Sequence, residues 1–408
     1  MSLPGFSGSE STVIEGVAEI FGTELTNDYE YTFTGIKSAI YSLGGAKIEY
    51  TGELSSEYIS EETQMDAYIN LHFALENLRF EASTTTKKGP RVLILGAKDS
   101  GKTTLTKILA AYANRLDHQP LVVNLNPDEV STLTATPISD ILDVEHGWGQ
   151  SYTTGPTLLH PKQPTVRYYG LETIEENEKF YKHNVSRLGV TACSRLEEDE
   201  IVNKSGMIIN TPPLKIKDAP LVEDIISDFE VDVLVVVGNE RLYIDLRKRF
   251  KEKVTIVKVP KSGGCVERDD TFIRQCQQKS IREYFYGTPK TVLSPYTVHV
   301  DFSIVTVYKP FVEQNNYISS VLPIGEEGEE EEDKKSVKLL EKIEPSSSAL
   351  QNAVVAFLQA DKTDEEDIVL RSGVTDVDDT KTKLRVLIPV PGRLPDKAMI
   401  LGAYRYVE

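Results

Sequence analysis

The segment Arg91-Val-Leu-Ile-Leu95 runs into Gly96-Ala-Lys-Asp-Ser-Gly101-Lys102-Thr103 and then into Thr104-Leu-Thr-Lys-Ile-Leu-Ala-Ala-Tyr112. The middle part fits G-x-x-x-x-G-K-[ST] at every fixed position, between an apolar run of strand length and a helix-like run. The residue types have a chemical reason. Glycines let backbone N–H groups close around phosphate oxygens, and the following helix N-terminus adds favourable partial charge. Lys102 reaches the β- and γ-phosphates, and the Thr103 hydroxyl is placed to ligate Mg²⁺. The segment therefore predicts a P-loop domain that binds a nucleoside triphosphate.

Outward from this loop, Pro90 to about Gly287 alternates short apolar runs with helical stretches. Pro120–Asn124, Met207–Ile209, Val231–Val237 and Thr255–Val259 read as buried parallel strands. Guanine readers carry N-K-x-D after a later strand. Here Val237 leads into Gly238-Asn239-Glu240-Arg241, which leaves ATP as the default nucleotide. Phosphoryl transfer to a hydroxyl needs a nearby carboxylate base. At the two strand ends where one should stand, the chain has Asn126 and Asn210, and an amide cannot accept a proton at neutral pH. Asp128 and Glu129 follow Pro127 and are expected to point elsewhere. These residues predict retained nucleotide binding with impaired catalysis.

Before the P-loop, Val17–Phe21 and Tyr29–Phe33 alternate as strands do. Tyr68, Leu71, Leu75 and Leu78 then take helical spacing, and Ser83–Gly89 reads as a linker. Beyond Pro295 the pattern returns to β, with Thr297–Tyr308, Ser348–Leu358, Asp367–Leu370 and Leu384–Val390. Pro389, Pro391 and Pro395 mark the last of these as edge-like or as leading into turns. Glu326-Glu-Gly-Glu-Glu-Glu-Glu-Asp333 reads as a solvated spacer or a docking site for a basic partner. Arg247–Lys253 reads as the basic end of a helix starting near Asn239, or as an RNA or partner contact. Trp148 reads as a core or loop anchor, or as a base-stacking or partner residue.

The 408 residues carry 45 Lys+Arg against 63 Asp+Glu, a net charge of -18 that argues against coating nucleic acid through overall charge. No run of 18 apolar residues is present, and residues 1–8 lack the blocks of a secretion signal. Three widely spaced cysteines and six scattered histidines offer neither a disulfide framework nor a zinc site, and point to cytosol or nucleus.

Pro260-Lys-Ser-Gly-Gly-Cys-Val-Glu-Arg268, Phe272-Ile-Arg274 and Ser280–Gly287 resemble the lid of the polynucleotide 5′-hydroxyl-kinase family. Ala135–Asp143, Gly147–Ser151, Gly155–His160, Leu387–Pro395 and Val17–Leu25 narrow the resemblance to the fungal subunits of mRNA cleavage and polyadenylation factor IA. The resemblance implies a multidomain α/β protein. It would have a β-sandwich-like N-terminal domain with a linking helix (1–88, shortened relative to the family), a P-loop NTPase domain with a parallel sheet and lid (89–294), and a C-terminal α/β domain holding the acidic run (295–408).

By matching position, Gly96, Asp99, Ser100, Gly101, Lys102, Thr103 and Thr104 would contact ATP, with Lys37 near its base and ribose. Mg²⁺ would sit at Thr103, and Arg268 and Arg274 would belong to the lid. The implied role is ATP-binding assembly in the nucleus, beside a scaffold subunit of cleavage factor IA and other polyadenylation-factor subunits, with any pre-mRNA contact indirect and no membrane contact. The alternative is an ATP-dependent RNA 5′-hydroxyl kinase. Against it stand Asn126 in place of Asp, Thr211-Pro212-Pro213 in place of a Cys-Gly-Trp-like turn, and Ile273 at an arginine position.

Overall fold

A computed structural model describes residues 9–54, 56–128, 131–139, 164–287, 292–311, 339–358, 368–378, 382–389, 394 and 397–407. Trp148, Glu129, residues 155–160 and the acidic run 326–333 lie outside them. The chain forms two compact units, Met1–Val166 with Val185–Val292, and Arg167–Asn184 with Leu293–Glu408.

In the first unit, strand β1 (Ser9–Gly16) is followed by β2 (Glu19–Ile20), β3 (Thr23–Glu24), β4 (Glu30–Phe33), β5 (Ile40–Tyr41) and β6 (Ala46–Thr51). They form two three-stranded sheets, ordered β4-β1-β6 and β3-β2-β5. The strand expected over Val17–Phe21 is cut to two residues. Phe21 and Gly22 both take positive φ, which turns the chain. Helix α1 (Met65–Thr84) buries Tyr68, Leu71 and Leu75 as the spacing predicts, together with His72 and Arg79, whereas Leu78, expected on the same face, is exposed. It also takes in Ser83 and Thr84, which had read as linker.

The nucleotide sheet comprises β7 (Arg91–Gly96), β8 (Leu121–Asn124), β9 (Thr132–Pro137), β10 (Thr165–Tyr168), β11 (Met207–Asn210), β12 (Val233–Val237) and β13 (Thr255–Val259), ordered β10-β9-β8-β11-β7-β12-β13. The five strands from β8 to β13 are parallel, and β9 runs antiparallel to β8. Between and after them come α2 (Lys102–Arg115), α3 (Glu178–Glu198), α4 (Glu200–Ser205), α5 (Ala219–Asp228), α6 (Glu240–Phe250) and α7 (Asp270–Tyr286). Asn239 caps α6 by accepting from Leu242 N (3.0 Å), and its last turn holds Arg247, Lys248 and Arg249. One hydrophobic core joins Val13, Ile20 and Leu25 of the N-terminal β region to Leu71 and Leu75 of α1, Leu105 and Ile108 of α2, and Val92 and Ile208 of the sheet. The N-terminal β region and the P-loop sheet are thus packed as one body, and removing either would expose the core of the other.

The second unit carries β14 (Tyr296–Asp301), β15 (Val307–Pro310), β16 (Leu340–Ile343), the short helix α8 (Ser347–Leu350), β17 (Ala353–Leu358), β18 (Ile368–Asp378), β19 (Lys383–Ile388) and β20 (Met399–Arg405). They form a mixed sheet ordered β14-β19-β18-β17-β20-β15-β16. The strand ending before Pro389 is interior, not an edge. It pairs with β14 on one side and β18 on the other, and the proline lies just past its last ladder residue. No helix among the described residues is long and apolar enough to cross a membrane.

Candidate nucleotide-binding site

The phosphate loop follows from its residue types. β7 is wholly buried and ends on Gly96, where a Cβ would lie 2.6 Å from Ser100 Oγ and 3.0 Å from Val237 O. Only glycine lets the loop fold back this tightly. Asp99 and Gly101 then take positive φ, at 54° and 91°, and α2 starts at Lys102. An added Cβ at Gly101 would stand 2.9 Å from Cys265 Sγ, so the turn at Cys265 lies directly on the loop.

Lys102 is 7 % exposed, and its Nζ donates to Gly96 O (3.2 Å) and Ala97 O (2.8 Å). Burial pulls its pKa down to about 8, against the charge of Asp128. Ser100 Oγ is buried without a partner, so the loop is one hydrogen bond short. A row of amides crosses the strand ends beside it. Asn210 Nδ2 donates to Thr103 Oγ1 (3.2 Å) and Asn124 Oδ1 (3.0 Å), while the buried Asn210 Oδ1 has no partner. Asn126 N donates to Asn124 Oδ1 (3.2 Å).

This cradle fits a polyphosphate: a tight glycine turn, a buried cation and an orphaned hydroxyl sit at a helix N-terminus. Thr103 Oγ1 and the amide oxygens are hard donors that suit Mg²⁺. They carry no charge, so the phosphates would supply most of the metal's ligand field. When bound, Mg²⁺ would neutralise phosphate charge.

Two groups were not legible at this site. Burial raises the proton affinity of Asp128, while the charges of Arg268, Lys102 and Lys98 lower it. Its backbone is held by Asn126 Oδ1, which accepts from Asp128 N (3.4 Å), and by Gln277 Nε2 of α7, which donates to Asp128 O (2.7 Å). Beyond it, Ser131 N donates to Pro127 O (2.9 Å). Asp99 accepts from both Arg268 N (3.1 Å) and Arg268 Nε (2.8 Å). Burial opposes ionisation of Asp99, but these bonds hold its pKa below the usual carboxylate value.

Arg268 is thereby fastened to the phosphate loop, whereas Arg274 is exposed on α7. Lys37 Nζ sits 4.6 Å from the centre of the Phe272 ring, and Lys279 Nζ donates to Thr34 O (3.1 Å). The N-terminal β region thus touches the first turns of α7. Thr104 follows Thr103 in the first turn of α2. Thr211, first residue of the turn after β11, donates from its hydroxyl to Ile94 O (2.7 Å) and is fully buried, which ties that turn to the sheet.

Comparison with known proteins places this site in a lineage. The family described as "mRNA cleavage and polyadenylation factor CLP1 P-loop" matches residues 96–287, "Pre-mRNA cleavage complex II protein Clp1" matches 293–408, and "N-terminal beta-sandwich domain of polyadenylation factor" matches 6–82. The chain belongs to the CLP1 family. The CLP1 factor of Debaryomyces hansenii is 44% identical, over 97% of this chain and 90% of that protein. That of Kluyveromyces lactis is 44% identical, over 98% and 93%. Two solved structures match with a TM-score of 0.86 and 36% identity over 100% of this chain, covering 95% and 96% of theirs. One is a wild-type Clp1p–Pcf11p complex. The other describes an extended Pcf11p–Clp1p interface and the basis of ATP loss in a point mutant. The fold class is that of the CLP1 family: an N-terminal β-sandwich domain, a P-loop domain with a largely parallel sheet, and a C-terminal α/β region.

The depressed Lys102 pKa gives nucleotide binding a pH dependence. In the nucleotide-free protein Lys102 loses its proton near pH 8, below the ordinary lysine value of 10.5. Bound phosphate favours the charged form and raises that pKa, so binding above about pH 8 takes up a proton. The affinity should then fall up to about tenfold per pH unit until the pKa of the complex is reached. Asp99, Asp128 and Arg268 act on Lys102 as well. Titration calorimetry at pH 9 in buffers of different ionisation enthalpy should show the uptake, and buffer-independent heats would contradict it.

Proposed function

We propose that this protein is an ATP-binding assembly subunit of the nuclear machinery that cleaves and polyadenylates pre-mRNA 3′ ends. It holds ATP at Gly96, Asp99, Ser100, Gly101, Lys102, Thr103 and Thr104, with Mg²⁺ at Thr103 and Lys37 toward the base and ribose. The occupied site stabilises a surface that docks a scaffold subunit of the Pcf11 kind, and any contact with pre-mRNA passes through other polyadenylation-factor subunits. The observation that carries this reading is the combination of a complete phosphate cradle with amides, Asn126 and Asn210, where a phosphotransferase needs a base. The binding half of a kinase is present and the transfer half is weakened.

ATP then acts as a structural ligand, stabilising the folded state in proportion to its affinity. The RNA 5′-hydroxyl kinase reading is disfavoured by the same amides and by Ile273 and Thr211-Pro212-Pro213. The test is to purify the protein without added nucleotide, denature it, and identify what is released. Intact ATP is expected in near-stoichiometric amount. Release of ADP, or transfer of γ-phosphate to an RNA 5′-hydroxyl, would overturn the reading.

A further inference from the structure

We propose that the N-terminal β region controls nucleotide exchange by holding residues 260–279 over the phosphate loop, with Phe272 and Lys279 of α7 as the positioning residues of that hold. This deepens the reading above, on which it rests, by making retention of ATP a matter of rate as well as of affinity. Three observations carry it. First comes the path of the segment. It leaves β13 at Pro260, and its turn at Cys265 lies on the loop, against Gly101. It then reaches the residues past β8, where Gln277 Nε2 donates to Asp128 O (2.7 Å). Strands β8, β11, β7, β12 and β13 are adjacent and parallel. The segment therefore crosses the carboxyl ends of all five, the side on which open α/β sheets take their ligands.

Second, the segment is tied down along this path. Tyr68 Oη of α1 donates to Pro260 O (3.1 Å), and Asp99 of the loop accepts from Arg268 N (3.1 Å) and Nε (2.8 Å). Third, two further ties reach the N-terminal β region, just after β4. The Lys37 ammonium stands 4.6 Å from the centre of the Phe272 ring, and Lys279 Nζ donates to Thr34 O (3.1 Å). Phe272 and Lys279 lie two turns apart on one face of α7, so the helix is gripped at two points about 10 Å apart.

Both ties are modest. A cation over an aromatic face shifts an equilibrium by about twofold to fivefold at a surface site, and a partly exposed hydrogen bond by about threefold to tenfold. Ties of this size keep the segment closed for most of the time and still let it open. A nucleotide that enters and leaves only past the open segment meets the same gate in both directions. Weakening the hold then raises the association and dissociation rates by one factor and leaves their ratio, the dissociation constant, unchanged.

The experiment uses the full chain with Mg²⁺ and radiolabelled ATP, and the variants Lys279→Met, Lys279→Arg, Phe272→Leu and the Phe272→Leu/Lys279→Met pair. Methionine keeps the stem of Lys279, arginine keeps a donor, and leucine keeps much of the bulk of Phe272. Melting temperatures check that each variant is folded. Rapid filtration gives the association rate, a chase with unlabelled ATP gives the release rate, and equilibrium binding gives the dissociation constant. Lys279→Met is the cleaner single change, because its bond ends on a backbone carbonyl, whereas Phe272→Leu also frees Lys37.

Lys279→Met should release ATP about threefold to tenfold faster than wild type and bind it faster by the same factor, with a dissociation constant within about twofold. The pair should be faster than either single variant, and Lys279→Arg should stay near wild type. The proposal is overturned if folded Lys279→Met keeps both wild-type rates. It is overturned equally if release alone speeds up, because a contact made only by the bound protein belongs to the site and not to a gate. Failure of wild type to bind ATP would instead overturn the assembly reading itself, and both fall together.

Discussion

Lys102→Ala is expected to bind ATP at least about 100-fold more weakly than wild type and to purify without nucleotide. The estimate follows from the two or more charge-assisted hydrogen bonds that a buried ammonium makes to phosphate oxygens, each worth about 1.5–3 kcal/mol. In the free protein these donors are occupied by Gly96 O and Ala97 O, so the side chain is already placed at the loop and little ordering remains on binding. The stability of the nucleotide-free protein should move in the other direction or not at all. A buried lysine whose pKa has fallen to about 8 is opposed by burial when charged, and alanine removes that opposition.

The two effects separate cleanly in a thermal melt. At an ATP concentration 100 times its dissociation constant, wild type gains about 2.7 kcal/mol, whereas the variant gains almost nothing. Under the proposed function, the variant should also lose scaffold binding in a pull-down with a Pcf11-type subunit. Unchanged scaffold binding by an ATP-free variant would count against ATP as an assembly ligand, even with the nucleotide site confirmed.

The features legible in the sequence were those carried by local spacing. The phosphate loop has fixed positions within eight residues, α1 repeats its apolar face every three or four residues, and four of the five parallel strands are buried, mostly apolar runs, whereas β13, read as buried too, exposes Thr255 and Lys258 at the sheet edge. What escaped was set by chain reversals or by contacts distant in sequence. β9 is polar, Thr-Leu-Thr-Ala-Thr-Pro, and was not identified as a strand. The alternating β-branched threonines were a usable signal, since three buried threonines on one face fit a covered strand. The Arg268–Asp99 pair links residues 169 apart, and neither motif alone specifies the other. Of the two readings of Pro389, the edge strand fails, because a proline immediately after a strand removes no ladder bond within it, and the chain bends at Pro389 instead.

Arg79→Ala should destabilise the first unit by about 3–5 kcal/mol, the scale for stripping one partner from a buried charged network. Arg79 is 1% exposed on α1, yet it reaches out of its own helix. Its Nε donates to Ser205 O (2.9 Å) at the end of α4, and its Nη1 pairs with Glu76 Oε2 (3.3 Å). Glu76 Oε1 in turn meets His118 Nε2 (2.6 Å), just past α2. One helix face therefore ties the N-terminal β region to two separate elements of the nucleotide domain, in addition to the shared core. Alanine would leave Ser205 O without this donor and Glu76 without its buried cation, and would open a cavity the size of the side chain.

Arg79→Met, which keeps most of the volume, should recover part of the loss, and the difference between the two variants measures packing against polar pairing. Under the proposed function, in which ATP binds the folded state, saturating nucleotide should raise the unfolding midpoint of both variants in parallel with wild type. Equilibrium denaturation followed by far-UV circular dichroism would measure the change. A loss below about 1 kcal/mol for Arg79→Ala would mean that the apolar core alone joins the two regions and that the polar bridge adds nothing to their union.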